Sequence, residues 1–403
     1  MCKQKTRIDV VGIGMGTKGT ITSEVEQAIQ SCDCIIGAKR MLETLRTYEK
    51  EMYTSYCPEE ILTFIQQTSD YHHIVIALSG DVGFYSGAKK LLVLLEALED
   101  CQVFVHPGIS SVVYLAAKLL VPWEDAELVS LHGTYRNLIH TVVHHRKTFV
   151  LLGDSRIGIR ICEKLKYYDF PDLQIFIGSR LSYEDERIVS KTVSQLQPED
   201  FEDLAVAFID NPYPDAAVTK HLSDEDFIRG AVPMTKEEIR TVNIAKLRLE
   251  KDSVVYDVGA GTGSISIEAA IQDGSIMVYA IEKNPNGIAL IKENKHKFKA
   301  DNLEIIEGKA PEALRELPAP THVFIGGSSG NLREIIQLVK EKNPSVRLVM
   351  NAISLETIAE VMACIEEGLL VNPDLIQMSV SKSKNMGNHH LMMGENPIYI
   401  ISC

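Results

Sequence analysis

The sequence predicts an α/β fold class built as two successive units, on three observations. β-rich runs such as Arg7–Ile13, His73–Leu78 and Val254–Val258 alternate with segments of helical spacing. Several of these runs close in glycine-rich turns: Gly12-Ile-Gly14-Met-Gly16, Ser79-Gly80-Asp81-Val-Gly83 and Gly259-Ala-Gly261-Thr-Gly263. The break Asp210-Asn-Pro-Tyr-Pro-Asp215 separates one such series from the next. Repeated strand–helix order implies mainly parallel sheets, because parallel strands need a crossover.

In order along the chain, Arg7–Ile13 reads as the first strand. Thr22 is a fair N-cap for a helix over Thr22–Ser31, with Glu24 and Glu26 in its first turn. Cys34–Gly37, His73–Leu78 and Gln102–His106 read as strands, and Gly87–Glu99 as a leucine-rich helix. After Ala117 the pattern turns strand-rich: Glu127–Leu131, Thr148–Leu152, Gln174–Ser179, Glu186–Thr192 and Leu204–Ile209, with Arg156–Lys166 as a helix. The first unit is therefore expected over 1–209, with lobes of about 1–115 and 116–209, and 210–230 as a linker.

The second unit is expected over 231–403. Thr235-Lys-Glu-Glu238 has the form of a capping box ahead of a helix carrying Ile239, Val242, Ala245 and Leu249. Val254–Val258, Met277–Ile281, Leu303–Glu307, His322–Ile325 and Arg347–Asn351 are strands with helices between them. Leu375–Val380 and Ile398–Ser402 read as a terminal antiparallel pair, with His389-His390 in a loop between them.

Composition narrows the function. The 403 residues carry a net charge of −14, of which −10 precedes Gly230 and −4 follows. Phosphate backbones require clustered Lys and Arg, so nucleic acid is disfavoured as a partner. No run reaches the roughly 18 apolar residues of a membrane span, and the start of the chain has no signal-like apolar stretch. The eight cysteines are scattered without zinc spacing, so no protein-bound metal is expected and a reduced, cytoplasmic setting is.

The turn Gly259–Gly263 follows a strand and opens a helix, where backbone approaches a ligand closely. Its spacing is G-x-G-x-G; Ser264 stands where a dinucleotide fingerprint needs glycine. Glu282 ends the next strand, where a carboxylate accepts from ribose hydroxyls, and Asp257 precedes the glycines, within reach of an ammonium group. Together these favour S-adenosylmethionine over NAD. In the first unit, Gly80, Asp81 and Phe84 on one strand end and Ser110 and Ser111 on another form a second polar, glycine-rich pair.

These motifs, in this order, resemble the fused precorrin-6Y C5,15-methyltransferases of cobalamin biosynthesis. The resemblance is carried by Val11–Gly16, Gly80–Ser86, Pro107–Ser111 and Leu131–Gly133 in the first half. In the second it is carried by Pro233–Lys236, Glu238-Ile-Arg240, Asp257–Gly263, Gly308–Pro311 and Phe324–Gly327. It implies a two-lobed tetrapyrrole methylase (class III methyltransferase) followed by a Rossmann-like class I methyltransferase, each with its own S-adenosylmethionine. Carried over by position, Thr235, Gly259, Ala260, Gly261, Thr262, Gly263, Glu282 and Ala310 contact the second cofactor. Gly80, Asp81, Phe84, Ser110 and Ser111 line the first cofactor site. The implied substrate is a polycarboxylate tetrapyrrole, precorrin or cobalt-precorrin, methylated at C5 and C15 with loss of the C12 acetate carboxyl; a homo-oligomer is also implied. Lys236 and Arg240, near a helix start, are expected to clamp substrate carboxylates. No catalytic base is assigned; Tyr85 and His132 are candidates only. Thr321-His322 stands where the family often carries an acid. The competing reading is an RNA methyltransferase, which the acidic balance disfavours.

Overall fold

A computed structural model describes residues 5–68, 70–131 and 137–403. The motif Leu131–Gly133 and the candidate His132 fall wholly or partly outside them. The chain forms two compact units, one holding most residues up to Pro212 and the other most residues from Tyr213 on.

The first unit opens with β1 (Thr6–Gly12), α1 (Ser23–Ser31), β2 (Cys34–Gly37), α2 (Lys39–Leu45), β3 (Glu51–Thr54) and α3 (Pro58–Gln67). It continues through β4 (His73–Leu78), α4 (Ala88–Glu96), β5 (Cys101–His106) and α5 (Ser111–Leu119). The five strands form a wholly parallel sheet in the order β3-β2-β4-β1-β5. Alternation along β1 explains its two buried faces. Ile8 and Val10 pack with Ile61, Ile65 and Leu91, while Val11 packs with Val25, Ile29 and Leu45. Thr22 does cap α1, its Oγ1 accepting from the Val25 amide at 3.4 Å.

The second lobe contains β6 (Glu127–Ser130), β7 (Lys147–Leu151), α7 (Ser155–Tyr167), β8 (Gln174–Ser179), β9 (Arg187–Thr192) and β10 (Ala205–Asp210), whereas α6 (Leu138–His144), between β6 and β7 in sequence, groups with the second unit. Its sheet, β6-β7-β10-β8-β9, is parallel only between β6 and β7. Met15, Val112 and Leu115 join Phe149, Val206 and Phe208 in one core that fastens the lobes together.

The second unit runs α8 (Glu237–Leu247), β11 (Val254–Val258), α9 (Ser264–Ala270), β12 (Met277–Glu282), α10 (Pro285–Lys297), β13 (Leu303–Glu307) and β14 (His322–Ile325). It ends with α11 (Leu332–Lys342), β15 (Arg347–Ala352), α12 (Leu355–Glu366), β16 (Asp374–Met378), β17 (Ser381–Met386), β18 (His389–Gly394) and β19 (Ile398–Ser402). The sheet order is β13-β12-β11-β14-β15-β19-β16, parallel through β15 and antiparallel beyond it. The chain leaves β11 to one side and returns to the other at β14, so the order reverses there. Such a reversal opens a crevice at the strands' carboxyl ends.

Three local expectations are corrected. His389-His390 is not in a loop but on β18, which pairs with β17 across the two-residue turn Gly387-Asn388. Thr235 is not an N-cap: α8 starts at Glu237 with Lys236 at the cap position and no side-chain cap bond. Glu238 instead meets Lys382 at 2.8 Å. The stretch 213–230 groups with the second unit rather than standing apart as a linker.

Candidate functional site

The first unit's cleft lies where β1, β4 and β5 end. The Gly14 and Gly80 backbones exchange two hydrogen bonds, 3.1 and 2.7 Å. Gly108 packs between them so closely that a Cβ there would stand 2.2 Å from the Gly80 carbonyl and 2.4 Å from that of Gly12. Only glycine permits this crossing. It opens a cleft of about 300 Å³ lined by Gly14, Gly80, Phe84, Tyr85, Ser110 and Ser111, among others. Ser110 caps α5 through the Val113 amide at 3.2 Å, so the positive end of that helix faces the cleft.

Asp81 is placed differently from its expected role. One carboxylate oxygen accepts from the Gly83 amide at 2.9 Å, the other from the Gly108 amide at 3.0 Å. It ties the two glycine turns together and does not itself line the cleft.

The second unit's cleft, about 950 Å³, opens at the β11/β14 reversal. Gly259, Ala260, Gly261, Glu282, Thr235 and Lys236 line it together with Gly326 and Gly327. Gly259 has φ +75°, and a Cβ there would come within 2.7 Å of the Gly327 carbonyl. The two glycine loops therefore meet backbone to backbone. Glu282 Oε2 accepts from the Gly261 amide at 2.7 Å, and Oε1 from the Lys283 and Asn284 amides at 2.9 and 2.8 Å. These bonds fix the carboxylate at the cleft wall.

Thr262, Gly263 and Ala310 do not line the cleft. Thr262 is buried and its carbonyl accepts from Asn294 at 3.2 Å. Gly263, φ +78°, turns the chain into α9 against Ile291. Ala310 lies in the core, its carbonyl held by Asn331 at 2.9 Å.

Arg240 is a correction of another kind. Its side chain is fully buried, paired with Glu268 and with Asp224 at 3.1 Å, and bonded to the carbonyls of Thr235 (2.8 Å) and Leu222. Four of its five N–H groups are engaged and the side chain is fully enclosed, so it cannot meet a substrate carboxylate. The guanidinium instead gathers 222–235, whose Val232–Thr235 end forms one wall of the cleft. Asp257 also stays out of the cleft. Burial pushes its carboxyl up to about 7, against the pull of a hydrogen bond from Ser266. His322 begins β14, at the opposite end of that strand from the cleft, so the Thr321-His322 departure lies away from the lining residues.

Comparison with known proteins fits this geometry. Residues 226–403 match the family model for a precorrin methyltransferase domain, and residues 7–197 that for tetrapyrrole (corrin/porphyrin) methylases. A cobalt-precorrin-6B C(15)-methyltransferase (decarboxylating) of Salmonella typhimurium is 39% identical over 184 residues, covering 45% of this chain and 95% of the relative. A precorrin-6Y C(5,15)-methyltransferase [decarboxylating] of Sinorhizobium is 24% identical over 387 residues, 94% of this chain and 92% of the relative.

The chain belongs to the precorrin methyltransferases. A solved precorrin-6Y C5,15-methyltransferase structure from Geobacter metallireducens, 35% identical, covers 46% of this chain and 98% of its own, with a TM-score of 0.43. As in the sequence reading, the family's two domain types follow one another in this precorrin methyltransferase. Among the described residues, no group of three or more His, Cys, Asp or Glu is placed to hold a metal ion, and no helix is long and apolar enough to cross a membrane.

Sequence reasoning missed two cleft features, Lys283 and Gly394–Asn396, and marked a third, Asn351, only by its place at a strand's carboxyl end. Lys283 Nζ donates to Ser329 Oγ at 2.8 Å at the second cleft's edge. Its only signal was its position directly after Glu282. Asn351, at the end of β15, lines the same cleft and holds a buried side-chain oxygen without a partner. Gly394–Asn396 reach it from the far end of the chain, which no local pattern announces.

Proposed function

We propose that this chain methylates C5 and C15 of a precorrin-6B or cobalt-precorrin macrocycle and removes the carboxyl of the C12 acetate arm. The first unit serves C5; the second serves C15 and the decarboxylation, in line with its Salmonella relative. The observation that carries this reading is the pairing of two different methyltransferase domains in one chain, each with a glycine-walled cleft at its strand ends.

Each cleft suits one S-adenosylmethionine, which when bound supplies a methyl group already activated on a sulfonium. In the second unit the backbone of Gly259–Gly261 gives close approach, Glu282 presents the carboxylate for the ribose, and Asn351 offers an unsatisfied acceptor. Asp257, Thr262, Gly263 and Ala310 support that wall from behind. In the first unit Gly80, Phe84, Ser110 and Ser111 line the pocket, and Asp81 positions the turns around it.

The chain's task is to hold an electron-rich ring carbon in line with the methyl and to keep water out. No covalent nucleophile is needed. When the acetate loses carbon dioxide, the bonding electrons pass into the conjugated macrocycle. Lys236 and Lys283 at the second cleft are the cations suited to the substrate's carboxylates. The acidic whole-chain charge supports a small-molecule substrate over RNA. A homo-oligomer with a cytoplasmic site of action belongs to the same reading.

The test is turnover with precorrin-6B or its cobalt form and methyl-labelled S-adenosylmethionine, read by mass spectrometry. The reading predicts two labelled methyls gained and one carbon dioxide lost. A product with one methyl and its acetate intact would restrict the chain to a single transfer.

A further inference from the structure

Arg40, on α2 of the first unit, is a partly buried cation whose hydrogen-bond partners among the described residues are neutral. Its Nη1 donates to Tyr183 Oη at 3.2 Å and its Nη2 to Ser79 Oγ at 3.1 Å. No carboxylate neutralises it among the described residues. It lines a hollow of about 230 Å³ that shares Met15, Ser79, Tyr85 and Ser111 with the first cofactor cleft. A guanidinium has five donors in a planar fork, so two neutral bonds leave capacity for a planar anion.

The fork is held in place from the other lobe. Tyr183 Oη sits over Gly16, where a Cβ would be 2.8 Å away. Thr17 donates to Ser182 at 2.8 Å. The loop is fixed in a strained form, with Arg180 and Ser182 at φ 47° and 73° and the Ser182 amide bonded to Glu186 at 2.7 Å. Arg180 lines the same hollow, 5.1 Å from the Tyr183 ring centroid, and already carries the exposed Asp185. Arg40 is thus the cation of this hollow that has no carboxylate partner among the described residues.

We propose that Arg40 binds a carboxylate at the mouth of the first cleft. The inference rests on the functional reading above, which supplies two carboxylate sources: a side arm of the macrocycle and the amino-acid end of S-adenosylmethionine. The site is the same for both, and the experiment separates them.

Calorimetry would use the full chain with Glu282→Ala to silence the second cleft, alone and combined with Arg40→Met or Arg40→Lys. The probes are cobyrinic acid, a stable corrin polycarboxylate; cobinamide, a corrin whose arms are amides; and S-adenosylhomocysteine. Arg40→Met is expected to weaken cobyrinic acid about tenfold, the scale of one charge-assisted hydrogen bond, while cobinamide and S-adenosylhomocysteine are unchanged and Arg40→Lys restores part of the loss. A loss confined to S-adenosylhomocysteine supports the same site with the cofactor as its source. Unchanged affinity for all probes overturns the proposal and leaves the functional reading standing. A Glu282→Ala chain that binds none of them overturns that reading and this proposal with it. Equal losses for cobyrinic acid and cobinamide would make Arg40 merely structural.

Discussion

The two clefts use a carboxylate at a strand end in opposite ways. In the second unit Glu282 lines the cleft and holds three amides at its wall. In the first, Asp81 turns its two oxygens onto the Gly83 and Gly108 amides and stays out of the lining. An acid after a strand is thus not by itself a ligand acceptor; what decides is whether it faces the cleft or the turns behind it. Among the described residues the first cleft's lining carries no charged side chain, Arg40 standing in the adjoining hollow, whereas the second cleft has a carboxylate on its wall.

The largest expected effect comes from the charge buried behind the second cleft. Arg240→Met leaves buried Glu268 without its guanidinium partner and with only the His221 ring beside it, at a cost of about 3–5 kcal/mol. Hydrogen exchange should rise across 222–235 and α8 and remain unchanged in β1, β4 and β5. Exchange rising equally in both units would break the comparison.

A smaller effect is expected in the first unit. Gly108→Ala forces a methyl against two carbonyls, with an expected loss of about 1–3 kcal/mol from overpacking. Urea midpoints followed by exchange of β1, β4 and β5 measure it. A neutral outcome would mean the three strand ends are not packed as closely as described.

A third effect concerns pH. Burial raises the Asp257 carboxyl to about 7, above its ordinary 3.8, so the folded chain holds that proton more tightly than the unfolded chain. The resulting stabilisation is full below the ordinary value and is lost as pH rises through about 7. Asp257→Asn does not titrate and should flatten the decline in urea midpoint between pH 5 and pH 8. An unchanged slope would assign that pH dependence to other groups.

Much of this architecture was legible because it is local. The β1 and β11 runs, their glycine turns and the Thr22 cap are all set by residues within a few positions of one another. Arg240 was misread because its partners, Leu222, Asp224 and Glu268, are brought to it only by folding. The Thr235 box failed because Thr235 belongs to the cleft wall rather than to the helix end. The β17–β18 hairpin escaped because nearly all its side chains are exposed, so no buried face imposes alternation. Ala310 shows the limit of carrying a position over from a family: its neighbours match, but its methyl packs in the core.

The central claim is that one chain carries two separate cofactor clefts. Its most direct test is calorimetric titration with S-adenosylhomocysteine of the wild type, Glu282→Ala and Asp81→Asn, with thermal melts to verify folding. Two sites in the wild type, one lost in each variant and not the same one, is the predicted result. A single site that disappears with Glu282→Ala and is untouched by Asp81→Asn would contradict it.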